Sequence, residues 1–296
     1  MRRKFYSVLR AGAKSLIIVP ENTRMVPLQS AGSKPPFFMV DSYPYFLELV
    51  ELLGADQPVI SLIGHEDMLM AGCYSIADEA ARHVETILER YPAGPFLLGG
   101  CSASGLIAYE AAQQLSALGY RVSTLVLFDT PNPYYMREYS ALMLSLNSYR
   151  EDLSRLKAHE IPMWAAMKFK RLLADKTGWL KNGAVAVNGG ADQMGPSEIR
   201  IQAARKYRPA PYSGKVMLFR RHHGLTGRYR DPKFGWGEAV RGDLQVCQMD
   251  AVDHLELFKS PIERAFVAQK LREQFDEAAE ASSVREQECE RENRTG

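Results

Sequence analysis

From Lys34 onward, short apolar runs alternate with longer stretches of helical spacing, the sequence signature of a mostly parallel sheet with crossover helices. The runs Pro36–Val40, Pro58–Leu62, Pro95–Gly99, Val122–Phe128, Gly214–Phe219 and Leu244–Met249 read as buried strands. Between them, Tyr45–Leu53 places Phe46, Leu49, Val50 and Leu53 on one helical face. Ser75–Arg90 places Ile76, Ala80, Val84, Ile87 and Leu88 at the same spacing, with Ser75 as cap and Asp78 three residues on. Leu106–Leu118 ends at Gly119, and a final helix is expected near Pro261–Phe275. Residues 134–207 break the alternation: they are helical in pattern, rich in Met, Tyr, Leu and Lys, and read as a lid inserted in the fold, with a loop at Lys181–Gly190. The expected organisation is a basic extension over 1–24, one domain over 25–275 and a polar, disordered tail over 276–296.

Composition narrows the class. The chain has 296 residues, 46% hydrophobic and 24% charged, enough for one substantial core, and its formal charge of +2 excludes an electrostatic case for nucleic acid. Cys73, Cys101, Cys247 and Cys289 form no CxxC pair and have no histidine at zinc-ligand spacing, so neither disulfides, metal nor cofactor is expected, and a reducing cytoplasm suits them. Arg10 and Lys14 interrupt the N-terminal apolar runs before signal-peptide length, and no stretch approaches the roughly 20 apolar residues of a spanning helix. A basic amphipathic start still suits weak contact with a lipid surface or a partner.

The chemistry concentrates where Pro95–Gly99 runs through Gly100-Cys101-Ser102-Ala103-Ser104-Gly105 into a helix. A nucleophile elbow needs a serine on such a strand–turn–helix, flanked two places either side by small residues. Gly100 and Ser104 are small, although the strict GxSxG pattern is broken; a glycine-rich turn that merely packs helix on strand has the same look. At a helix N-terminus the Ala103 N–H is a natural oxyanion donor. A serine hydroxyl needs a base, and His254, in a short loop after the last strand, fits the chain order Ser, acid, His. His65, His83, His159 and the doublet His222–His223 fit less well. Asp129, at the end of the strand after the nucleophile helix, is the expected acid; a turn-forming role before Pro131, or Asp250 or Asp253 as the acid, are the alternatives. Cys101 is expected to be a small buried neighbour rather than the nucleophile.

Together these segments resemble the thioesterase domains that end non-ribosomal peptide and polyketide synthase assembly lines, members of the α/β-hydrolase superfamily. The resemblance spans about residues 25–275 and is carried by VPLQSAGSKPPFFMV, LGADQPVISL, GPFLLGGCSASGLIAYEAAQQLSALGYRVSTLVLFDTPNP, ARKYRPAPYSGKVMLFR and FGWGEAVRGDLQVCQMDAVDHLELF. It implies an α/β-hydrolase fold with a helical lid and a Ser102, Asp129, His254 triad. The implied partner is an acyl or peptidyl carrier protein bearing the substrate on phosphopantetheine, and the implied reaction is release by hydrolysis or by transfer or cyclisation. Family members usually carry a His-Pro-Ala-Gly-Gly-like loop after the first core strand; here Val40 leads into Asp41-Ser42-Tyr43-Pro44, and the Ser42 and Tyr43 N–H groups are the candidate second oxyanion donors. At the elbow, Cys101 stands for a bulky aromatic and Ser104 for glycine. No carrier, adenylation or ketosynthase segment is recognisable, which suggests a free-standing enzyme, monomeric or weakly dimeric. Arg220, Arg221, Arg228 and Arg230 are either a basic patch for an acidic carrier helix or a solvated face. A general small-ester esterase, or a hydrolase fold reused for binding, are the other function classes.

Overall fold

The structure is a computed structural model that describes residues 3–10, 13–20, 22–41, 46–64, 68–69, 74–132, 134, 162, 196–221, 231–251 and 256–295. Its strands are β1 (Arg3–Arg10), β2 (Ala13–Pro20), β3 (Met25–Gln29), β4 (Phe37–Val40), β5 (Val59–Leu62), β6 (Phe96–Cys101), β7 (Val122–Phe128), β8 (Val216–Arg221) and β9 (Leu244–Met249). The helices are α1 (Phe46–Leu53), α2 (Ile76–Arg90), α3 (Ala103–Ala117), α4 (Pro196–Lys206), α5 (Glu256–Lys259) and α6 (Pro261–Thr295). All nine strands lie in one sheet in the order β2-β1-β3-β5-β4-β6-β7-β8-β9. From β5 to β9 every pairing is parallel, whereas β3 pairs antiparallel with β5 and β1 antiparallel with β2.

The unbroken apolar runs follow from burial on both faces, as in any helix-covered parallel sheet. In β4, Phe37 and Met39 pack with Phe46, Leu49 and Val50 of α1 and Val267, Leu271 and Phe275 of α6. Phe38 and Val40, one residue out of phase, pack with Ile76, Ala80 and Val84 of α2 and Leu106 and Ile107 of α3. Ser75 caps α2 by accepting from the Asp78 N–H at 3.1 Å, as the spacing predicts.

Strand order decides where a site can form. The chain crosses from β4 to β5 on one side and then returns beyond β4 to place β6 on the other, so connections diverge between β4 and β6. Such a switch point leaves a crevice at the carboxyl ends of the two strands. There Asp41 follows the last residue of β4 and Ser102 the last residue of β6.

Two expectations at the chain ends differ from the structure. Residues 3–10 and 13–20, expected as part of an extension, form the antiparallel pair β1–β2, the outer two strands at one edge of the sheet. The tail expected to be disordered continues α6 to Thr295, because no Pro or Gly interrupts the sequence between Ile262 and that residue. Of the expected lid, residue 134, residue 162 and the stretch from 196 to 207 are described, and α4 is its last helix; the 181–190 loop lies outside the described residues. No helix among the described residues is long and apolar enough to cross a membrane.

Candidate active site

Ser102 sits between β6 and α3 with φ 55° and ψ −123°, a conformation that an L-residue holds only when its surroundings force it. Those surroundings are identifiable. The Ser102 N–H donates to the Phe128 carbonyl of β7 at 3.0 Å, and its own carbonyl accepts from the Gly105 N–H at 3.1 Å. A Cβ at Gly100 would lie 2.3 Å from the Ser104 carbonyl oxygen, and one at Gly105 would lie 2.0 Å from Thr130 Oγ1. Both glycines are therefore required for strand and helix to meet this closely. A serine at a helix start ordinarily caps it through its side chain, but Ser102 makes no such bond, which leaves its hydroxyl for other work. It is partly exposed and stands at the N-terminus of α3.

Cys101, by contrast, is fully buried at the end of β6, and burial pushes its thiol pKa up, away from the reactive thiolate. This agrees with a packing role.

Register brings Asp129 beside Ser102. Cys101 pairs with Phe128 across β6 and β7, so the next residues along, Ser102 and Asp129, are neighbours at the strand ends. Asp129 is 2% exposed, has φ 42°, and donates its N–H to the Phe219 carbonyl of β8 at 2.7 Å. Its carboxylate meets Arg221, whose Nε lies 3.0 Å from Oδ2 and whose backbone N–H reaches Oδ1 at 3.5 Å. The Arg221 Nε–H is not aimed at the carboxylate, so the contact is one of charge rather than an aligned hydrogen bond. Asp250, the alternative acid, is exposed.

His254, Ser42, Tyr43 and Asp253 lie outside the described residues, as do His65, His159, His222 and His223. His83 is buried inside α2, and burial pushes its pKa down to about 4, which keeps it neutral. The arginines considered for a carrier-binding patch behave otherwise than a basic surface. Arg220 is 4% exposed, donates to the Asp231 carbonyl at 2.8 Å and lies over the Phe234 ring at 4.5 Å. Arg221 turns to Asp129, while Arg228 and Arg230 are outside the described residues.

A further group of charges went unnoticed in the sequence. Arg200 of α4 pairs through Nη1 with Asp41 Oδ2 (3.1 Å) and donates through Nη2 to Glu79 Oε1 (2.8 Å). Asp41 also accepts from the Gly64 N–H (2.8 Å) and from Ser104 Oγ (3.1 Å), and Glu79 accepts from Tyr74. Burial pulls the Arg200 pKa down, but the carboxylates of Asp41 and Glu79 outweigh it and the net direction is up. The signal for part of this group was present: Glu79 and His83 fall on the apolar stripe of α2, where charged and polar residues need partners. Among the described residues no group of three or more His, Cys, Asp or Glu side chains is placed to hold a metal ion.

The chain is 30% identical over 199 residues to the non-reducing polyketide synthase ustP of Ustilaginoidea virens, covering 61% of this chain and 9% of that synthase. It is 24% identical over 253 residues to malpibaldin synthetase of Mortierella alpina, covering 81% of this chain and 4% of that protein. The chain thus spans less than a tenth of the length of these relatives. Among solved structures, the NocB thioesterase domain in covalent complex with a fluorophosphonate nocardicin G analog superposes with a TM-score of 0.57 at 21% identity, over 85% of this chain and 99% of that one. The surfactin-cyclising thioesterase domain SrfTE superposes with a TM-score of 0.52 at 14% identity, over 84% and 94% of the two chains. Both likenesses establish the α/β-hydrolase fold. Residues 45–263 match the thioesterase domain family, and the chain belongs to it.

Proposed function

We propose that this chain is a serine thioesterase or acyltransferase that releases an acyl or peptidyl chain from the phosphopantetheine arm of a carrier protein in natural-product biosynthesis. Ser102 is the nucleophile, His254 its base and Asp129 the acid that orients the imidazole. The observation that carries the reading is the backbone of Ser102: a non-glycine residue held at φ 55° at the switch point, at the N-terminus of α3, with its hydroxyl uncommitted to a cap. Relatives within polyketide and peptide synthases support the substrate class.

In this mechanism Ser102 Oγ adds to the thioester carbonyl carbon while its proton passes to His254. The oxyanion is held by the Ala103 N–H and by the Ser42 or Tyr43 N–H. Collapse breaks the carbon–sulfur bond, and His254 returns the proton to the departing pantetheine thiolate, leaving an acyl ester on Ser102. A second nucleophile, either water or a hydroxyl or amine of the chain itself, then loses a proton to His254 and displaces the Ser102 oxygen, which regains that proton. The Asp129 side chain orients the imidazole and stabilises the imidazolium.

Carrier-bound acyl thioesters are expected to be turned over with a kcat/KM at least about tenfold above the same acyl group on free pantetheine, and further above simple nitrophenyl esters. Steady-state assay of the three substrates checks this. Equal turnover of all three would make a general esterase the better description.

A further inference from the structure

The Asp41 carboxylate is the meeting point of three elements. Gly64, beyond β5, donates its N–H; Ser104, two residues past the nucleophile, donates its hydroxyl; and Arg200, on the last helix of the lid region, supplies the countercharge. Asp41 itself is held at φ 48°, a left-handed conformation that an aspartate keeps here under the grip of those three partners. It is also the residue through which the chain leaves β4 for Ser42 and Tyr43.

Arg200 closes the arrangement. Its second arm is fixed on Glu79, which is fully buried on α2 and is itself held by Tyr74. The guanidinium fork therefore sets the distance between the start of α2 and the end of β4. The fit is tight: a Cβ at Gly64 would lie 2.1 Å from Arg200 Nη2. Just past α4, Tyr207 donates to Glu110 of α3 at 2.5 Å, so the helix is tied independently at its other end.

We propose that Arg200 is a positioning residue that acts through Asp41: it fixes the carboxylate that Ser104 donates to, and so holds the end of β4 and the nucleophile turn in register. The inference rests on the proposed function above and adds to it a residue from the lid region. Ser104, the departure from the GxSxG pattern, is part of the same arrangement.

The test is a double-mutant cycle on the full chain, with Arg200→Gln, Asp41→Asn and their combination. Release of thiol from an acyl-pantetheine thioester gives kcat and KM, and thermal unfolding gives Tm. Each single variant is expected to lower kcat about 10²-fold with KM nearly constant, the scale of a displacement of roughly 1 Å at a reacting group. The double variant should match the singles rather than multiply their losses, because both act through one link. Tyr207→Phe loosens the other end of α4, and should lower Tm while leaving kcat unchanged. If Arg200→Gln does not fold, Arg200→Lys, which keeps the charge but not the fork, is expected to lose about tenfold in kcat. Wild-type kcat in Arg200→Gln or Arg200→Lys, multiplicative losses, or an equal loss in Tyr207→Phe would each overturn the inference while leaving the nucleophile assignment intact. A wild-type protein without thioesterase turnover overturns both.

Discussion

Asp129→Asn lowers kcat for an acyl-pantetheine thioester about 10⁴-fold, with KM nearly unchanged and the fold intact. The substitution keeps the side-chain shape, so β7 still ends under the same backbone bond from Asp129 N–H to the Phe219 carbonyl. What it removes, on the proposed function, is the charge that would hold the imidazole in the tautomer able to take the serine proton and stabilise the imidazolium once the proton has moved. Arg221 loses its countercharge at a position where the Asp129 side chain is 2% exposed, so some stability is lost as well, which thermal unfolding reads separately from kcat. Asp250→Asn, at an exposed position, leaves kcat at the wild-type value. Thiol release measured under saturating substrate checks both, and a fall of less than about tenfold in Asp129→Asn contradicts the acid assignment.

The second large effect is on the elbow itself. Gly100→Ala puts a methyl group 2.3 Å from the Ser104 carbonyl oxygen, 2.5 Å from its carbon and 2.7 Å from the Gly105 nitrogen. All three are backbone atoms of the first turn of α3, so relief requires the helix to move away from the sheet. The expected cost is about 3 kcal/mol of stability, at the upper end of overpacking effects, together with loss of Ser102 reactivity as its backbone relaxes. Gly54→Ala provides the contrast: φ there is 92° but nothing lies within 4 Å of the added Cβ, so about 1–2 kcal/mol of backbone strain is the whole effect and reactivity is kept. Urea midpoints together with rates of reaction with a fluorophosphonate separate the two. Comparable loss of reactivity in both variants contradicts the steric account.

What the sequence made legible, it made legible through local rules. β7 and β9 have the bounds that their apolar runs predict, Val122–Phe128 and Leu244–Met249, and the elbow was visible because strand, turn and helix are contiguous. The edge of the sheet was not. In β3 the run Met25–Gln29 contains Pro27, which argues against a strand; the pairing with β5 shifts register between Pro27 and Gln29, the kind of irregularity where a proline is tolerated. In β1 and β2, Arg3, Lys4, Arg10 and Lys14 break up the apolar pattern, but charges are at home on a sheet's outer strands. The ion pair of Arg200 with Glu79 joins residues 121 apart, and nothing in either one's neighbourhood marks the other as its partner. In the sequence Asp41 is marked only as the residue that leads into Ser42 and Tyr43, because Arg200, its ion-pair partner, lies on α4, far along the chain.

The claim at the centre of this account is that Ser102 is an activated nucleophile, and intact-protein mass spectrometry after incubation with a fluorophosphonate tests it most directly. Wild type and Cys101→Ala are expected to gain one phosphonyl group, and Ser102→Ala none, because the thiol at 101 is buried with its pKa raised while the serine stands uncapped at the start of α3. An adduct that persists in Ser102→Ala, or its absence from wild-type protein shown to be folded, would contradict the account.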